Sequence, residues 1–169
     1  MSGRRSEAGD ILILNVYVFG VMVLLAVILG IFAQVYVTRR TAQNGADAAA
    51  TAAAQTGLEF VHGVCWQPYP PWQCFSPAGW VQILDWDYWG LDSTAAYYAW
   101  ANYHSRLERL AVVLGRTGQP EVEVWVDRPF RPLAPAVLKL GRTDPVPAQA
   151  NGEVPFGCSG SVASCTGGG

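Results

Sequence analysis

Four cysteines form two closely spaced pairs, and their spacing suggests chemistry more directly than that of any other residues in this chain. Cys65 and Cys74 enclose "CWQPYPPWQC", and Cys158 and Cys165 enclose "CSGSVASC". Zinc ligands are commonly spaced as CxxC, and neither pair has that spacing. A disulfide that closes such a short loop contributes roughly 2–3 kcal/mol in the chain-entropy model. We therefore predict two local disulfides, although four cysteines allow three connectivities.

Sequence motifs for catalysis or cofactor binding are not found in the chain. It has no Gly-rich phosphate loop, no HExxH, no GxSxG and no CxxCH. His62 and His104 are the two histidines, and neither stands in a metal-ligand pattern. Asp85 and Asp87 would form a carboxylate pair only on a strand, and no further partner is evident. We predict a protein that is not an enzyme, with no cofactor, no metal and no evident small-molecule substrate.

An aromatic segment over residues 58–91 is rich in proline and tryptophan. Regular structure is not expected across its "QPYPP" stretch. Tryptophan and tyrosine are favoured in interfaces, so the segment is a candidate surface for a partner or a carbohydrate. Such residues more often pack over a neighbouring element and close a small core, and both interpretations stay open. The candidate contact residues are Trp66, Trp72, Trp80, Trp86 and Trp89.

A long apolar segment without formal charge covers residues 11–37. About 20 apolar residues cross a bilayer as a helix. A cleavable secretory signal has a shorter apolar stretch of about 7–15 residues followed by small residues. Bulky Val35, Tyr36 and Val37 stand at the end of this segment instead. We predict a retained transmembrane helix over residues 11–37, preceded by a short cytoplasmic terminus at residues 1–10.

The orientation of this span follows from the cysteines rather than from the arginines. Two arginines precede the span and two follow it, so the positive-inside count is nearly balanced. All four cysteines follow the span, and disulfides form in an oxidising compartment. We predict a single-pass cell-membrane protein with a cytoplasmic amino terminus and the carboxy-terminal domain outside the cytoplasm. The net charge of −2 gives no basic footprint, so nucleic acid is not an expected partner.

An alanine-rich stretch, "RRTAQNGADAAATAAAQTG" at residues 39–57, follows the apolar segment directly. Alanine favours helix but buries little surface, and small residues let neighbouring backbones approach closely. No proline interrupts residues 11–57, so we predict one continuous helix whose part at 38–57 projects from the membrane. Its small residues predict a packing face for a folded domain or another copy of the helix, rather than a solvated helix without a partner. The face comprises Ala42, Gly45, Ala46, Ala49, Ala50 and Ala53.

The same stretch resembles the signature of the TadE/TadG-like proteins of the Tad (Flp) pilus apparatus. In that family an apolar helix runs into one or two basic residues and then an "LQNAADAAALAAA"-like motif. Gln43, Asn44, Ala46, Asp47 and residues 48–50 match it, whereas a glycine at position 45 replaces an alanine. The segment "VEVWVDRPFRPLAPAVLKLG" is similar to the strand plus F-x-P-L-x-P found near the end of many such proteins. The resemblance implies a pilin-like structural component.

Amino-terminal processing is a further question that the resemblance raises. Family members treated as pseudopilins resemble type IV pilins, in which a glycine precedes the cleavage point and a glutamate follows five residues in. Gly9 and Asp10 form the possible processing site here, but Leu14 stands where the glutamate would be. We expect an uncleaved, membrane-anchored protein, with cleavage after Gly9 as the alternative.

The remaining residues, 58–169, predict a small extracytoplasmic α+β domain. A helix from Asp92 or Ser93 to about Leu114, ended by Gly115, would carry an apolar face that includes Trp100 and Tyr103. "EVEVWVD" alternates as a half-buried strand. A short strand or turn at 137–140 and a loop-rich end from residue 142 complete the domain. The predicted fold is a long transmembrane helix continuing into a pilin-like ectodomain with an amphipathic helix and a small antiparallel sheet.

Three functions are compatible with this organisation. The leading one is a minor pilin-like component of a Tad-type pilus, which contacts other pilin-like subunits through its long helix and the lipid through its span. The second is the main subunit of a surface filament. The third is an accessory single-span subunit of a larger membrane complex, for example an energy-transducing one.

Overall fold

The protein is described by a computed structural model over residues 4–65, 77–86, 88–130, 145–154, 156–158 and 165–167. Two compact units make up the chain. The amino-terminal unit comprises Met1–Val37 and Arg131–Arg142, and the carboxy-terminal unit comprises Thr38–Phe130 and Thr143–Gly169.

Helix α1 covers Arg4–Cys65 without a break, so it extends beyond the predicted 11–57 at both ends. Within the amino-terminal unit, the side chains of residues 11–37 are mostly exposed. A window of α1 reaches a mean hydropathy of 2.8 with none of its residues buried. Within the described part of the chain, α1 alone is long and apolar enough to cross a membrane, as judged by length and composition.

Two shorter helices belong to the carboxy-terminal unit, α2 at Pro77–Trp86 and α3 at Tyr88–Tyr103. The predicted helix to Leu114 is therefore wrong beyond Tyr103. His104 ends α3 in the left-handed region with a φ of 50°, and its N–H donates to Trp100 O at 2.9 Å. This is the αL type of helix end, which usually carries a glycine. Histidine at that position gives no stop signal in the sequence.

Three antiparallel strands form one sheet in the order β1-β2-β3: β1 is Arg106–Leu114, β2 is Pro120–Arg128 and β3 is Val146–Glu153. The predicted alternating strand is confirmed in β2, because Val122, Val124 and Val126 are fully buried. A tight turn joins β1 to β2. In it the Gly118 N–H donates to Gly115 O at 3.0 Å, and Gly118 takes a φ of 79°. Gly115, predicted to end a helix, begins this turn instead.

The carboxy-terminal end contains more strand than the sequence predicted. Residues 146–153 form β3, where a loop-rich end was expected. Two further strands, β4 at Phe156–Cys158 and β5 at Cys165–Gly167, pair with each other antiparallel. The strand or turn predicted at 137–140 lies outside the described residues. The predicted α+β class, with a long apolar amino-terminal helix and a small antiparallel sheet, is confirmed.

Candidate functional site: the alanine face of α1 and the surfaces beside it

The alanine face of α1 is buried inside the carboxy-terminal unit of the same chain. It joins a core with larger side chains such as Val61, Leu84 and Leu91. The backbone of β3 lies directly on it, because a Cβ added at Gly152 would stand 2.3 Å from Ala50 O. Only small residues permit such a close approach. The six residues that the sequence singled out are all buried there: Ala42, Gly45, Ala46, Ala49, Ala50 and Ala53.

The polar residues of the same motif attach α1 to the edge of the sheet. Gln43 Nε2 donates to Asp47 Oδ1 at 3.1 Å and to Gln149 O at 2.9 Å. Gln149 belongs to β3, which is an edge strand of the three-stranded sheet. Thr51 Oγ1 donates to Asp47 O at 2.8 Å. One side of the motif therefore builds the core, and the other satisfies backbone and side-chain polar groups at its border.

Two grooves flank the exposed side of α1. The larger, of about 620 Å³, separates α1 from the end of α3 and is lined by polar and small residues that include Asp47, Gln55 and Asn102. The smaller, of about 350 Å³, runs between α1 and the end of β3. Thr51 and Gln55 line both grooves, so this polar strip of α1 stands between α3 and β3.

An aromatic stripe covers the outer face of α3, defined here as Trp89, Tyr97, Trp100 and His104. Spacings of 8, 11 and 15 residues from Trp89 place these side chains within about 80° of one another around the helix. Trp89 is 82% exposed, Tyr97 66% and Trp100 61%. The Trp100 and His104 rings meet edge to face with their centroids 5.4 Å apart. The opposite face, with Leu91, Ala95 and Ala99, is buried. Exposed apolar patches of this kind mark interaction sites.

The predicted contact tryptophans separate into two environments. Trp80 is 2% exposed and belongs to the core, whereas Trp89 begins the aromatic stripe. Trp66 and Trp72 lie outside the described residues, as does the side chain of Trp86. Trp100 was predicted for a buried helical face and is exposed, so sequence reasoning missed most of the stripe. The spacings of 8 and 11 residues from Trp89 indicate that these side chains share a face of the helix. The buried side predicted for this helix was on the wrong face.

The possible processing site and the cysteines are described only in part. Gly9 and Asp10 lie in α1, but their side chains are outside the described residues. Cys65 ends α1, and Cys74 is outside the described residues. Cys158 and Cys165 stand directly opposite each other in the β4–β5 pair. No cluster of three or more metal-ligating side chains occurs among the residues that the structure describes.

Comparison with known proteins identifies one family. Residues 13–56 match the family described as putative Flp pilus-assembly TadE/G-like. This match confirms the resemblance predicted from the alanine-rich stretch, and it extends into the apolar segment. Neither the curated proteins nor the solved structures gave a significant match. The matched segment of this chain is thus similar to pilus-assembly proteins, and the similarity supports a pilus-associated component. With the apolar helix, it indicates association with the membrane or cell surface.

Proposed function

We propose that this protein is a membrane-anchored, minor pilin-like component of a Tad-type pilus. The observation that carries the proposal is that two parts of α1 have different surroundings. The alanine face, which lies within the segment that matches the family, is buried in the core of its own domain. The apolar residues 11–37 are exposed. An exposed apolar segment of this length is suited to contact with lipid or with neighbouring membrane helices. The family match describes pilus assembly and names no enzymatic activity.

A minor role is favoured over that of the main filament subunit. A filament core made of α1 would have to bury Arg4 and Arg5, which is costly without partners, or lose them by cleavage after Gly9. The alanine face is also unavailable to a neighbouring subunit, because β3 covers it at Gly152. Helix packing between subunits would then depend on residues 11–37.

The aromatic stripe is the surface of the folded domain best suited to another pilus component. Trp89 and Trp100 expose large rings, and tryptophan is enriched among residues that dominate interface energies. Truncating them leaves the core intact, because both lie on the outer face of α3. Glu108 is a suitable control position, since it is exposed and lies on β1 rather than on α3.

The test is co-purification of the tagged full-length protein from its native cells. We expect Tad pilus proteins in the detergent-solubilised membrane fraction, and only trace amounts of this protein in sheared fibres. The double variant W89A/W100A should lower recovery of pilus proteins about tenfold or more, consistent with loss of one or two interface hot spots. The E108A variant should retain them. Finding this protein as the principal constituent of sheared fibres would make it the main subunit, and recovering no pilus protein from either fraction would refute the proposal.

A further inference from the structure

Contacts along α1 show which parts of the carboxy-terminal unit lie near Gly45 and which lie near Gly57. Near Gly45, an added Cβ would stand 2.8 Å from Ser105 Oγ, so the end of α3 and the start of β1 lie at this level. Near Gly57, an added Cβ would stand 3.5 Å from Leu91 and from Val154. The start of α3 and the end of β3 therefore lie about 18 Å farther along the axis of α1.

Arginines gather at the Gly45 end of this unit. Arg106 follows Ser105 directly and is exposed. Arg128, at the end of β2, donates from Nη1 to Tyr103 O, which brings it to the same level. Two further exposed arginines lie on α1 itself, five and six residues before Gly45. We call this group the arginine end: Arg39, Arg40, Arg106 and Arg128.

Carboxylates gather at the opposite end. Glu153 precedes Val154 and stands opposite Glu121 in the β2–β3 pair. Arg116 is the one described arginine in this region, on the β1–β2 turn. Three carboxylates, Asp47, Glu108 and Asp127, lie near the arginine end, where four arginines outnumber them. The described carboxylates of the opposite end are Glu59, Asp85, Asp92, Glu121 and Glu153.

The arginine end includes the residues of the unit that follow the apolar segment directly in the sequence. Arg39 and Arg40 follow the apolar segment immediately in the sequence, a position at which arginine side chains reach the headgroups. Gly45, and with it Arg106, lies only about 7.5 Å farther along α1 than Arg40. That distance is within one Debye length of about 8 Å, whereas the level of Gly57 lies about 25 Å from Arg40, or three Debye lengths.

We infer that the arginine end binds the surface of an anionic phospholipid membrane, so that the folded domain rests on the headgroups rather than standing free. The guanidinium groups supply bidentate donors for lipid phosphates, and the five described carboxylates of the opposite end are far enough away to escape strong repulsion. This inference rests on the proposed membrane anchoring of α1. Its ligand is the net negative charge of the lipid surface, so an uncharged zwitterionic surface should bind more weakly.

The experiment compares full-length protein in two kinds of nanodisc, one of phosphatidylcholine alone and one of an equal mixture with phosphatidylglycerol. Phenylglyoxal modifies accessible guanidinium groups, and mass spectrometry of peptides gives a rate for each arginine. We expect Arg106 to react about fivefold more slowly in the anionic discs. The difference should vanish at about 1 M salt, where the Debye length is about 3 Å. Arg116, at the far end, should react equally in both discs.

Two matched variants separate lipid binding from a general effect of the disc. In the unmodified protein, anionic discs should slow amide hydrogen exchange in the peptide that follows Tyr103. R106Q should remove most of this slowing, and R116Q should preserve it. Equal Arg106 rates in the two lipids, or equal protection of Arg116, would overturn the inference while leaving membrane anchoring in place. A protein that stays in the aqueous fraction and does not enter either disc would instead overturn the proposed anchoring itself.

Discussion

Gly45 and Ser105 show how one residue pair limits the composition of the alanine face. Ser105 is fully buried, and its Oγ has no hydrogen-bond partner among the described residues. A methyl group at position 45 would stand 2.8 Å from that oxygen and 3.2 Å from Ser105 Cβ. The family pattern has alanine at this position, and the structure gives a steric reason for the glycine.

A double-mutant cycle tests this pair. S105A should raise the free energy of unfolding by about 1 kcal/mol, because it removes a buried hydroxyl without a partner. G45A should lower it by about 1 kcal/mol, since overpacking outweighs the gain in helix propensity. In the S105A background, G45A should be roughly neutral. The measurement is denaturant unfolding of the full chain in detergent, followed by circular dichroism. Additivity of the two changes to within about 0.5 kcal/mol would show that the residues do not interact.

At the scale of elements, the closest approach in the described structure that a glycine permits is that of β3 to α1. The Cβ position at Gly152 is blocked by the backbone of α1, with Ala50 O at 2.3 Å and Ala50 C at 2.9 Å. A backbone cannot move aside as the end of a flexible side chain can. The contact between strand and helix therefore depends on glycine on one side and alanine on the other.

Replacing Gly152 by alanine should lower the free energy of unfolding by about 3 kcal/mol or more, at the upper end of overpacking effects. Asn151, its neighbour on β3, is exposed and provides the matched control. N151A should change the same quantity by less than about 0.5 kcal/mol. Thermal unfolding of the two variants in the same detergent makes the comparison. If G152A were as stable as N151A, the close contact between Gly152 and Ala50 would be contradicted, because β3 would have to lie farther from α1.

The elements differ in how far the sequence determined them. Strand β2 was predictable because its valines alternate with Glu, Trp and Asp residues, which leaves one face of valine alone. Strand β1 was not, because Leu107, Leu110 and Leu114 have helical spacing and "RLERL" favours helix. Pairing with β2, interrupted only by an irregularity between Leu107 and Arg109, overrides that propensity. The end of α3 at His104 was equally unpredictable, because the residue in the left-handed conformation is not a glycine.

The candidate site was also predictable in part. The alanine face followed from residue size and spacing alone. The aromatic stripe did not, because α3 reverses the usual arrangement in which large apolar residues are buried. Its buried face includes Ala95 and Ala99, and Trp100 lies outside. Which face of α3 is buried depends on tertiary contacts that its own spacing does not encode.

For the whole molecule, the net charge of −2 is unevenly distributed: arginines are in excess at one end of the folded unit and carboxylates at the other. The two cysteine pairs predict that this unit lies outside the cytoplasm. Cα atoms of directly opposed residues in an antiparallel pair are about 4.5–5.5 Å apart. A disulfide requires about 4.4–6.8 Å, so the register of Cys158 and Cys165 is compatible with a bond.

Intact mass spectrometry of the protein from its native cells tests compartment and pairing together. Without reductant, an alkylating reagent should add nothing to the unfolded protein, and after reduction it should label all four cysteines. The same spectrum reports whether residues 1–9 are retained. Alkylation of all four thiols before reduction would contradict both the disulfides and the external location. Protease added to spheroplasts should digest the carboxy-terminal unit from outside, which provides an independent check of topology.

The contact between Ala50 and Gly152 also dictates an order of events during biogenesis. The two residues are about 100 positions apart, so closing the core is a long-range step that local contacts cannot start. Synthesis delivers α1 before β3. Until β3 has been made, the part of the alanine face around Ala50 lacks the strand that covers it. If the unit is exported as the cysteines predict, a nascent chain passes through a period in which chaperones and proteases outside the cytoplasm meet α1 without its β3 contact, and that period lasts until translocation finishes.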